Sequence, residues 1–73
     1  MGQLKLLAKD PNSGRTGCKS VYIDEDGSAV VLAPEVDADT AAQLENRLPG
    51  EVGVRLEPEI LAAAVDAWRA TQG

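Results

Sequence analysis

The sequence predicts an α+β domain. We expect a small antiparallel sheet of about four strands with two helices, in the order β-β-β-α-β-α, the helices gathered on one face of the sheet. Three observations lead there. Ser20 to Pro34 reads as a β-hairpin. Glu51 to Glu57 alternates apolar and polar residues with the period of a half-buried strand. Leu61, Ala64, Val65 and Trp68 recur at the spacing of one helix face.

The hairpin organises the chain. Val21, Tyr22 and Ile23 precede the acidic stretch Asp24-Glu25-Asp26-Gly27, and Val30 and Val31 follow it. These β-branched and aromatic residues favour strands. An Asp-Gly pair between apolar runs favours a type I′ turn, because both central residues then need positive φ. A two-residue turn at Asp26-Gly27 pairs Ile23 with Val30, and a four-residue loop pairs Val21 with Val30. Both registers put Val21, Ile23, Val30 and Leu32 on one face, the expected core. Tyr22, Ala29, Val31 and Ala33 form the other face, apolar enough to require a covering partner, twin subunit or loop.

The remaining elements follow in order. Gln3 to Lys9 is short and lacks a helix cap, so it reads as a strand. Residues 10–20 form a loop rich in turn formers: Pro11, Asn12, Ser13, Gly14 and Gly17. Beyond Pro34, Asp37 is suited to cap a helix, its carboxylate accepting from orphan N–H groups; Thr40 with Gln43 is the alternative capping box. Ala41, Leu44 and Leu48 continue that helix until Pro49-Gly50 stops it. Pro58 opens the last helix, where a missing N–H costs nothing; it runs to about Thr71, with residues 71–73 frayed.

Length and composition narrow the functions. The 73 residues make a single domain, of a size that buries only about 60% of its unfolded surface. With no histidine and one cysteine, Cys-His zinc sites, histidine acid-base catalysis and an internal disulfide are excluded. Only Tyr22 and Trp68 are aromatic, too few for a single-strand stacking platform. The net charge of −5 argues against nucleic acid. Its distribution is uneven: Lys5, Lys9, Arg15 and Lys19 against Asp10 give residues 1–20 a charge of +3, leaving −8 on the rest. Such asymmetry orients a partner or makes the molecule self-complementary. No apolar run reaches the roughly 18 residues of a membrane helix. A single free cysteine without a targeting signal leads us to expect a cytoplasmic protein.

Candidate chemistry is sparse. Gly14-Arg15-Thr16-Gly17-Cys18-Lys19-Ser20 resembles a P-loop, but with Lys19-Ser20 in register glycines are required at positions 13 and 18, which hold Ser13 and Cys18. The segment also enters a strand rather than a helix. What survives is an anion or small-molecule nest in the basic, glycine-rich loop 12–20. Gly27 as position six of an EF-hand would put Tyr22 and Ala33 at ligating positions, and neither side chain serves as required. Cys18 beside Arg15 and Lys19 could form a thiolate and act as a redox sensor, or be a structural cysteine packed under the hairpin. Trp68 reads as core packing, with a partner hot spot as its functional counterpart. No catalytic residue, metal ligand or cofactor is expected. The expected ligand or partner contacts are Arg15, Gly17, Cys18, Lys19 and Tyr22.

The segment Asp10-Pro11-Asn12-Ser13-Gly14-Arg15-Thr16-Gly17-Cys18-Lys19-Ser20-Val21-Tyr22, with the Asp26-Gly27 turn, Val36-Asp37 and Leu48-Pro49-Gly50-Glu51, resembles a group of small uncharacterised actinomycete proteins. In these a D-P-x-S-G-x-x-G-C-P-x-V-Y segment leads into a strand pair; this chain has Lys19 in place of the proline. The group resembles accessory proteins found beside helix-turn-helix regulators. The resemblance implies regulation by protein contact, with a protein partner or a homodimer, and carries over no catalytic residue.

Overall fold

The computed structural model describes residues 2–11 and 19–72. It is α+β, with three strands, β1 (Lys5–Lys9), β2 (Ser20–Ile23) and β3 (Ala29–Leu32), and two helices, α1 (Ala38–Ala41) and α2 (Pro58–Gln72). The strands form an antiparallel sheet in the order β1-β2-β3. The expected fourth strand at 51–57 is reduced to a bridge between Val54 and Glu35, flanked by bonds from Val36 N to Gly53 O (3.0 Å) and Arg55 N to Pro34 O (2.9 Å). The element order is therefore β-β-β-α-α.

The hairpin is present, but its register lies between the two expected ones. Ser20 pairs with Leu32, Val21 with Val31, Tyr22 with Val30 and Ile23 with Ala29. The cause is the turn. Gly27 N donates to Asp24 O at 3.0 Å, Asp24 N donates to Ser28 O at 2.8 Å, and Gly27 has φ of +90°. This is a three-residue loop, a type I turn closed by a left-handed glycine. A type I′ turn would need positive φ at Asp26, and among the described non-glycine residues only Asn46 has it. The Asp26 carboxylate instead accepts from Ser28 N (2.9 Å) and Ser28 Oγ (2.6 Å), which holds the tighter turn.

A one-residue change of register exchanges the faces of a strand. Val31 and Ala29 thus share a side with Val21 and Ile23, while Val30 and Leu32 join Tyr22 on the other. The expected core set is corrected accordingly: Val30 and Leu32 are exposed, the latter 55%. In β1, Leu6 pairs with Tyr22 and Ala8 with Val21, so a bulge at Leu7 breaks the alternation. The bulge lets both Leu7 and Ala8 pack against the core.

α2 crosses β1 and β2. Its buried residues are Ile60 and Ala64, which with Val21 make the buried apolar core among the described residues; Leu7, Ala8 and Leu56 pack around it. The buried stripe is therefore turned by one position from the expected one, and Leu61, Val65 and Trp68 lie at its exposed margin.

α1 is far shorter than expected. Asp37 caps it, accepting from Thr40 N at 2.8 Å. One turn later the bonding tightens, from Gln43 N to Thr40 O and from Leu44 N to Ala41 O, the pattern of a fraying helix end. α1 buries no residue, and short helices need tertiary packing to persist. Pro49-Gly50 forms a turn instead of a helix stop: Glu51 N donates to Leu48 O, and Gly50 has φ of +90°, as position three of a type II turn requires. Gly53 allows a close approach, since a Cβ there would sit 2.8 Å from Leu44 Cδ1.

Candidate functional site

Three surfaces surround β3 and the start of β2. The first is the sheet face opposite α2. The β1-β2 and β2-β3 registers align Leu6, Tyr22 and Val30 across it, with Ser20 and Leu32 forming the next row. Leu6 is 50% exposed, and Val30 and Leu32 are also exposed. Tyr22 is half-buried, and its hydroxyl accepts from Ser20 Oγ at 3.2 Å. Ser20 itself is buried, so this face is closed at one corner and open at its centre.

The second surface is an apolar cleft of about 190 Å³ on the α2 side. It exists because α2 covers β1 and β2 but not β3. Its floor is Val21, Ile23 and Ala29, and its wall is Leu61, Val65 and Trp68. Trp68 is 41% exposed, a cleft wall rather than a core residue.

The third is the base of loop 10–20. Asp10 N donates to Lys19 O at 2.8 Å, extending the β1-β2 ladder into the loop. Lys19 Nζ meets Glu57 Oε1 at 2.6 Å, tying the entry of β2 to the residue before α2. Of the expected contact residues, the structure places Lys19 in this ion pair and Tyr22 on the open sheet face. Arg15, Gly17 and Cys18 lie outside the described residues, as does most of the expected anion nest. Lys19 spends its charge on Glu57, so an anion reaching this loop would compete with a carboxylate.

Comparison with protein-family models, curated proteins and solved structures finds no match for this chain. The site must therefore be read from its own geometry. Among the described residues no group of three histidine, cysteine, aspartate or glutamate side chains could hold a metal ion. No described helix is long and apolar enough to cross a membrane.

Among the described residues two carboxylates are perturbed, and both are structural. The Ser28 hydroxyl, then the Ser28 N–H, holds Asp26 below its ordinary value of 3.8. The Thr40 side chain, then the Thr40 N–H, lowers Asp37 in the same way, with a smaller contribution from Arg55. Arg55 also donates to Thr40 Oγ1 at 3.0 Å, joining the start of α1 to the 53–55 segment. Each group supports a turn or cap, and neither faces the cleft.

Sequence reasoning missed Ile60, Ser20 and the outward orientation of Val30 and Leu32. Ile60 had a signal, since it stands four residues before Ala64 on one helix face. Ser20 had none, because a serine at a strand entry is usually exposed.

Proposed function

We propose that this chain is a small non-catalytic protein-interaction module, serving as an accessory to a transcriptional regulator. The observation that carries the first part is the surface the chain leaves open. Its accessible area is 5824 Å², against roughly 4,300 Å² expected for a folded monomer of this mass. Of the twelve exposed large apolar residues among those described, seven lie around β3. Leu6, Val30 and Leu32 lie on one side of the sheet, and Val31, Leu61, Val65 and Trp68 lie on the other. Contiguous exposed apolar patches of this kind mark protein contact. The regulator as partner rests on the resemblance of the loop-strand segment to accessory proteins found beside helix-turn-helix regulators.

Reciprocal affinity capture from the native host, with light scattering of the purified chain, tests this reading. A stoichiometric complex lost in a Leu6→Glu, Leu32→Glu double variant is the expected result. A monodisperse monomer that captures no protein in either direction contradicts it.

A further inference from the structure

Resting on the interaction reading, we propose that the partner of β3 is β3 of a second copy of this chain, paired antiparallel with Val31 opposite its own twin. The two edges of the sheet differ sharply. β1 carries lysines at both ends, Lys5 and Lys9, and a bulge at Leu7, the devices by which edge strands resist pairing. β3 has neither. From Ser28 to Pro34 the sequence SAVVLAP holds no charge in a chain of net −5, and every residue of β3 is exposed.

The backbone narrows the register. Asp24 N bonds to Ser28 O, so Asp24–Ser28 is a hydrogen-bonded pair. Such pairs alternate along an antiparallel ladder, which turns the groups of Val30 toward β2 and those of Ala29 and Val31 outward. A two-fold axis normal to the sheet makes the contact isologous and brings like faces together, so residue numbers of opposed partners sum to an even value. Every even sum meets both conditions, and Val31 against Val31 of the second copy is the register that centres the contact on the uncharged stretch Ser28–Pro34. It places Ala29 opposite Ala33 and Val30 opposite Leu32, so every directly opposed pair between Ala29 and Ala33 is apolar. Both α2 helices then lie on one side, and the two clefts face each other across a continuous six-stranded sheet.

The open edge and side chains of Ser28–Pro34 offer on the order of 400–500 Å² per chain, so the contact sits at the low end of specific interfaces. A contact of this size is expected to be weak and reversible. A charged heterologous strand would find no complement here, which favours the chain's own neutral segment.

Oxidative cross-linking in a Cys18→Ser background tests the register. Opposed hydrogen-bonded residues have Cα atoms about 5.5 Å apart, within disulfide reach. Val31→Cys is expected to give covalent dimers. Val30→Cys is not, because its twin lies diagonally, beyond the roughly 7 Å limit. Sedimentation should show a concentration-dependent dimer that Val31→Lys abolishes while the circular dichroism of the folded chain is retained. Cross-linking through Val30 in preference to Val31, or dimers indifferent to Val31→Lys, would overturn the proposal. A strict monomer that still captures a host protein overturns self-pairing and leaves the interaction reading standing; a strict monomer that captures nothing removes both.

Discussion

At the scale of single residues, Asp26 decides more than its exposed position suggests. Both faces of β3 are apolar, so burial specifies its register weakly. The Asp26 carboxylate, bonded to the amide and hydroxyl of Ser28, holds the three-residue turn and with it the choice of which valine faces α2. Because these bonds favour the ionised form, the folded pKa lies below the unfolded one. Their contribution is complete above the unfolded value of roughly 3.9 and is lost as pH falls through the lower folded value. The carboxyl-carbon NMR midpoint of Asp26 should fall below 3.8, and the Ser28 amide should report the same transition. A midpoint at or above the free value would show that the turn is not held this way. The preference for Asp-Gly at a hairpin was legible in the sequence. The turn type was not, since the same dipeptide serves a type I′ turn and a type I turn closed by glycine, and only the Ser28 bonds separate them.

At the scale of elements, the contrast between α1 and α2 shows what the sequence pattern can and cannot say. Pro58 and the apolar period announced α2, and Asp37 announced the start of α1. The extent of α1 was not legible, because Ala41, Leu44 and Leu48 have helical spacing but none of them is buried, although Leu44 meets the segment at Gly53. α2 occupies the face of β1 and β2, and Leu48 is left 64% exposed. The 51–57 segment alternates like a strand for a similar reason. Its pairing partner, residues 34–36, carries Pro34 at one end and leads into the capped turn at Asp37, so the ladder closes after one bridge. Two substitutions separate pattern from packing. Ile60→Ala, at a position 5% exposed, should cost about 2–5 kcal/mol. Leu48→Ala should stay within about 0.5 kcal/mol. Urea unfolding of the two variants checks this, and equal costs would place Leu48 in a packed helix after all.

At the scale of the whole molecule, the candidate site was less legible than the fold. Sequence reasoning looked to the distinctive loop before β2 for contacts, yet exposed apolar side chains flank β3 on both sides of the sheet, at the far side of the hairpin. Patterning identifies strands that are apolar on both sides. It does not reveal how many strands a helix will cover, and here α2 spans two of three. The shape is open, with a radius of gyration of 13.6 Å where a compact domain of this length has about 11 Å. An isolated chain of this form leaves the outer edge of β3 and side chains such as Leu6 and Leu32 in water.

The small core also has a calorimetric consequence. The heat capacity change of unfolding comes chiefly from hydrating apolar surface that the native state had hidden. This chain hides little, so at dilution its unfolding should fall below the roughly 0.9–1.1 kcal/mol/K typical of its length, with a broad transition to match. If copies pair through β3, that increment should grow with protein concentration, because each added contact removes apolar surface from water before the melt begins. Differential scanning calorimetry over a concentration series would then show association as a rising heat-capacity step as well as a rising Tm.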